Sequence, residues 1–198
     1  GPMNQHIWWY VARASGIVAW LLLTASVLWG IVLSTKAFPE HRRPAWLLDL
    51  HRWLGGLTVS FVAIHVLALV ADSYTTFTLA DVTVPFASSW KPGAVALGVV
   101  AAWSLIAVEL TSLAMRRLPR RIWRGIHLVS YLTFWLTSLH AALAGTDRTQ
   151  GLYQATAAVS IALVAWAVIY RLTHLNSRRP GPSGKRTPTG RPATTSTS

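Results

Sequence analysis

Five stretches of the chain stay apolar long enough to cross a bilayer as helices, which takes about 20 residues each. They cover 12–34, 50–71, 93–115, 122–144 and 152–172, and polar or turn-forming residues separate them. The pattern predicts an all-α integral membrane bundle of five transmembrane helices. The first run is an unlikely signal peptide, because it is long and Leu33-Ser34-Thr35-Lys36-Ala37 is a poor cleavage site. Gly1 and Pro2, ahead of Met3, read as remnants of tag cleavage. The organisation expected is an extracytoplasmic segment over 1–11, a transmembrane domain over 12–175 and a disordered basic tail over 176–198. That tail is rich in Pro, Gly, Ser, Thr and Arg and cannot bury apolar surface.

Composition agrees with the membrane reading. Charged residues make up 12% of the chain, about half the share of a soluble domain. The formal charge of +12 would suit nucleic acid, but its distribution argues for topology instead. Lys36, Arg42, Arg43 and Arg52 lie between or beside spans one and two. Arg116, Arg117, Arg120, Arg121 and Arg124 lie around the link between spans three and four, and Arg171 and five further basic residues follow at the end. With five spans all three clusters fall on one side, which the positive-inside rule makes cytoplasmic. The amino terminus is then outside and the carboxyl terminus inside, in a multi-pass plasma-membrane protein that contacts lipid and not nucleic acid.

The chain has no cysteine. That excludes disulfides, cysteine-ligated iron–sulfur clusters and covalently attached c-type haem. Of seven histidines, His6, His41 and His174 fall in flanks or links and read as solvated. The other four lie within spans, where an ionisable residue is a functional candidate by default. His51 and His127 sit near the inner ends of spans two and four, His65 and His140 toward the outer ends. The spacings of 14 and 13 residues separate the two levels by about 20 Å. Two haems stacked across the membrane fit, each with iron held by one histidine from each helix: His51 with His127, His65 with His140. The alternative is four histidines that only hydrogen-bond between helices. Fourteen steps return to within about 40° of the starting face, but 13 steps land about 140° away, so span four is expected to be distorted between its histidines.

Other residues can serve the same centre. Haem propionates need cationic partners. Arg52, Arg124 and Arg121 are candidates at the inner level and Arg13 at the outer, with lipid contact as the alternative for the inner ones. Gly55, Gly56 and Gly125 allow either a macrocycle or a neighbouring helix to come close. Glu109, the one acid well inside a span, either moves a proton for a quinol or pairs with an arginine. Trp8, Trp9 and Trp90 fit an outer aromatic belt and Trp46, Trp53 and Trp123 an inner one. Trp135 fits ordinary packing better than a place between haems. The outer link, 72–91, is either a lid or an interfacial segment.

The segments Asp49-Leu50-His51-Arg52-Trp53-Leu54-Gly55-Gly56 with Ala63-Ile64-His65, and Trp123-Arg124-Gly125-Ile126-His127-Leu128-Val129-Ser130-Tyr131 with Ser138-Leu139-His140, resemble the haem helices of the ferric reductase-like transmembrane domain. The resemblance covers roughly 12–146. It implies a b-type dihaem membrane protein, and it implies that the 13-residue spacing is tolerated. Many such oxidoreductases carry a flavin- and nicotinamide-binding domain. No Gly-rich dinucleotide fingerprint occurs here, so a separate reductase, a flavoprotein or a quinol is the expected electron donor. The function expected is electron transfer to an extracytoplasmic acceptor, as an oxidoreductase of metalloreductase type. A quinol-linked subunit and a haem sensor or haem-handling protein are the alternatives.

Overall fold

The computed structural model describes residues 7–35, 44–73, 76–145 and 150–176. It contains six helices: α1 Ile7–Ser34, α2 Trp46–Ala71, α3 Leu79–Thr83, α4 Pro92–Leu113, α5 Arg120–Ala144 and α6 Gly151–Asn176. All but α3 are long and apolar enough to cross a membrane, so the five expected spans are α1, α2, α4, α5 and α6. Helix α1 starts at Ile7 because Trp8, Trp9 and Tyr10 continue its hydrogen bonding outward. Such rings belong at headgroup depth and do not register as hydrocarbon-spanning. His6, His41, Lys36, Arg42, Arg43 and all of the expected tail beyond Asn176 lie outside the described residues, as does the His174 side chain.

Helix α1 packs along α2 and α4 along α5, whereas α2 and α5 barely touch. The result is two antiparallel hairpins with a slot between the helices that carry the histidines. Between apolar helices in lipid there is little hydrophobic drive to associate, so close packing of small residues carries more of the attraction. Buried Ala12, Ser15, Ala19 and Ser26 on α1 and Ala94, Ala96 and Ala101 on α4 supply it. The core joins four helices: Leu23, Val27 and Ile31 of α1, Leu105 of α4, Phe134 of α5, and Val164 and Ala167 of α6. Three indole N–H groups pin the helices across these seams. Trp20 donates to Ser138 Oγ at 3.0 Å, Trp29 to the Leu47 carbonyl at 2.8 Å, and Trp103 to the Thr83 carbonyl at 2.9 Å.

We call the end where α2 and α5 begin the basic end and the opposite end the lid end. At the lid end, α3 is fixed by a capping box: the Asp81 amide donates to Thr78 Oγ1, and the Thr78 amide donates back to the Asp81 carboxylate at 2.8 Å. Lys91 adopts the left-handed region at φ 42° to turn the chain into α4, where Pro92 opens the helix. Its ammonium donates to the Leu143 carbonyl at 2.9 Å, tying the lid to the end of α5.

Two consequences can be measured. Phe134 is 0% exposed, so Phe134→Ala is expected to cost about 3 kcal/mol and to lower the thermal midpoint in detergent. The Thr78 hydroxyl and amide hold the Asp81 carboxyl below the usual carboxylate range. With the folded value depressed, the box stabilises α3 above the ordinary carboxylate range and loses that contribution as pH falls through the lowered value. Amide-exchange protection of α3 should therefore fall in acid, and Asp81→Asn should remove that pH dependence.

Candidate functional site

The four intramembrane histidines form two levels in the slot, and each ring is tied at Nδ1 to the outer helix of its own hairpin. At the lid end, His65 Nδ1 donates to the Ala12 carbonyl of α1 and His140 Nδ1 to the Ala94 carbonyl of α4, both at 2.7 Å. At the basic end the partners are hydroxyls: Ser26 Oγ lies 3.4 Å from His51 Nδ1, and Ser112 Oγ 3.3 Å from His127 Nδ1. Ser112 already donates to the Val108 carbonyl at 2.7 Å, so its oxygen accepts from His127. A neutral imidazole that donates through Nδ1 keeps its lone pair on Nε2. His65, His127 and His140 therefore present an Nε2 lone pair, and each carries the Nδ1 hydrogen bond that is also found on metal-bound histidines.

Glycines let the rings lie against the supporting helices. A Cβ at Gly98 would come within 2.7 Å of His140 Cε1, one at Gly16 within 3.0 Å of His65 Nδ1, and one at Gly30 within 3.2 Å of His51 Cε1. Gly16 and Gly30 are spaced by the same 14 residues as His51 and His65 on the antiparallel partner. On α4, Gly98 and Ser112 are also 14 apart, facing histidines only 13 apart. Helix α5 is α-helical at every position from Arg120 to Ala144, so no bulge absorbs the difference. Both hairpins use the same partner types, a backbone carbonyl at the lid end and a serine hydroxyl at the basic end, so the one-residue difference is taken up within that arrangement.

The residues fit a haem at each level. Among the described residues no group of three or more His, Asp or Glu side chains gathers as a metal site. The histidines come in pairs, which would suit a metal whose other positions a macrocycle fills. The His51 and His127 ring centroids are 5.9 Å apart, and two imidazoles on opposite sides of one metal ion put theirs about 6 Å apart. At the lid end a cavity of about 290 Å³ opens between His65 and His140. Thr58 and Thr133 form part of its floor, both 1% exposed. Their hydroxyls turn back onto the Leu54 and Val129 carbonyls at 2.7 and 3.0 Å, leaving an apolar layer between the levels.

The supporting residues divide. Arg13 lines the lid-end cavity and lies over the Trp9 ring, 5.0 Å from its centroid. Arg52 donates to Asp49 at 3.2 Å and its side chain is 58% exposed; Arg121 and Arg124 are exposed too. Gly56 and Gly125 face open space, whereas a Cβ at Gly55 would come within 3.0 Å of Glu109 Oε2. Glu109 has no arginine partner among the described residues. Trp8, Trp46, Trp53 and Trp90 are exposed as a lipid belt requires, and Trp135 is 42% exposed. Trp9 and Trp123 turn inward: Trp9 lines the cavity, and Trp123 stacks on His127 at 5.1 Å. Phe77, Val82 and Trp90 of the outer link line the cavity as well, which makes that link a lid.

Sequence reasoning missed the acceptors and the glycines beneath the rings. A signal was present. Ala12-Arg13-Ala14-Ser15-Gly16-Ile17-Val18-Ala19 and Ala94-Val95-Ala96-Leu97-Gly98-Val99-Val100-Ala101 share one pattern, and each supplies the carbonyl and the glycine for one lid-end histidine.

No curated protein and no solved structure matches the chain. The family described as ferric reductase like transmembrane component matches residues 15–138, a stretch holding His51, His65 and His127 and ending two residues before His140. With more than half of its length matched, and with a histidine-lined slot between two membrane hairpins, the chain belongs to the ferric reductase-like transmembrane component family.

Proposed function

We propose that the protein is a transmembrane electron conduit that holds two b-type haems, one between His51 and His127 and one between His65 and His140. Membership of the family implies haem-based electron transfer in the membrane in general. The observation that carries the finer reading is the pairing of four histidines at two levels, each tied at Nδ1 to a neighbouring helix. Bound haem supplies one-electron chemistry at each level.

The chain's own residues do the rest. The Nδ1 ties fix ring orientation and raise the basicity of Nε2. The glycines hold the rings back against α1 and α4 so that the slot stays open. The layer of Thr58, Thr133 and Phe134 keeps water out of the space between the levels. Arg13 is the propionate partner proposed at the lid end, with Arg52 and Arg124 at the basic mouth. The basic end is cytoplasmic on this reading. Electrons enter there from a separate reductase, flavoprotein or quinol and leave at the lid end to an extracytoplasmic acceptor. One observation favours the quinol among these donors: Glu109 is a carboxyl within a span with no arginine partner among the described residues. If it takes the donor's proton, Glu109→Gln slows haem reduction by a short-chain hydroquinone. An unchanged rate removes that role.

The purified protein is expected to carry two haems per chain with a b-type reduced-minus-oxidised spectrum; none after expression with ample haem would sink the proposal. His65→Ala or His140→Ala should remove one haem and leave the other. Gly98→Ala forces the His140 ring away from α4 and should weaken retention of that same haem by about tenfold or more, measured as haem per chain after transfer to an apo-acceptor.

A further inference from the structure

Helix α6 carries an arginine that the topology count treated only as a cytoplasmic charge. Arg171 lies near the basic end of α6, yet its side chain does not reach for the headgroups. The guanidinium donates to the Tyr131 hydroxyl of α5 and lies over that ring, 5.7 Å from its centroid. Tyr131 is one helical turn from His127. Among the described basic residues at this end, Arg52, Arg116, Arg117, Arg120, Arg121 and Arg124 are all exposed, and Arg171 alone is half-buried. It has no carboxylate partner among the described residues. An arginine held inside a membrane bundle without a counter-ion is costly, and a planar guanidinium suits a carboxylate that arrives from elsewhere.

A second donor lies on the other side of the same histidine. Trp123, one turn before His127, stacks on that ring with 23° between planes. Its Nε1 is buried and has no hydrogen-bond partner among the described residues. A buried donor without an acceptor is unusual in a finished structure. His127 is thus flanked along α5 by an indole N–H on one side and an anchored guanidinium on the other. The lid-end level has its own counterpart, Arg13 over Trp9.

We infer that Arg171, held by Tyr131, and the Trp123 indole N–H form the carboxylate-binding edge of the basic-end haem site and take up haem propionate there. The inference rests on the dihaem reading. Helix α6 lies outside the family match, which ends at residue 138, so this anchor is a feature of the chain beyond the matched stretch. Arg52 and Arg124, at the exposed mouth, are then secondary to it.

The test uses the purified full chain with its haems bound, comparing Arg171→Gln, Arg171→Lys, Tyr131→Phe and Trp123→Phe by haem per chain and by redox titration. Arg171→Gln should release the basic-end haem at least about tenfold faster, or shift its midpoint potential to more negative values, because a positive charge near the iron favours the reduced form. The lid-end haem should be unaffected. Arg171→Lys should restore most of the potential, and Tyr131→Phe and Trp123→Phe should give smaller changes in the same direction. Two haems with unaltered potentials and release rates in Arg171→Gln would overturn the inference and leave the dihaem reading intact. A wild-type protein without haem would overturn both. Loss of co-purifying anionic lipid from Arg171→Gln, with both haems unaltered, would assign the carboxylate-binding edge to headgroups and count against haem.

Discussion

The hydrogen bond from each histidine to the outer helix of its hairpin is the constraint on which the rest of the structure depends. It sets how each ring is turned and, for His65, His127 and His140, which ring nitrogen faces the slot. It also sets how closely α1 must approach α2, and α4 approach α5. The buried alanines and serines, the glycines beneath the rings and the weak contact between α2 and α5 all follow from that approach. A bundle that closed on itself by burying large side chains in its centre would leave no slot. This one puts its tight packing within the hairpins and leaves the space between them for the histidines.

Burial of the site is achieved by the same economy. Between the levels, Thr58 and Thr133 satisfy their hydroxyls on their own helices, so the layer is polar in composition and apolar in behaviour. At the lid end, a helix of five residues with its capping box, a left-handed lysine and the edge-on contact of Phe77 with Trp90 cover the cavity. These lid elements are held by side-chain hydrogen bonds and aromatic contacts more than by buried area, which makes the lid the part of the fold most readily opened.

The spans and the two histidine levels were legible because apolar run length and intramembrane polarity are one-dimensional signals. The supporting shell was harder to read. Glycine and alanine on α1 and α4 look like ordinary membrane composition until the antiparallel register shows which ring each one faces. Arg171 was hidden by the opposite problem: a basic residue near a span end has a ready topological explanation, and only the position of Tyr131 shows that it turns inward. Of the two readings open for Glu109, the arginine pair is not formed among the described residues, and its carboxylate occupies the space that Gly55 leaves. The expected distortion of α5 came from counting angles on an ideal helix, whereas α5 is α-helical throughout and both of its histidines still reach α4.

The shared 14-residue step on α1 and α2 also governs how this hairpin can change over time. Two antiparallel helices with ties at both ends behave as a ruler laid against its own copy. A residue gained or lost between Gly16 and Gly30 would slide one level out of register while the other stayed in place, and only a matching change between His51 and His65 would restore both. The second hairpin, one residue shorter between its histidines than between Gly98 and Ser112, carries such a mismatch with the same pair of acceptor types.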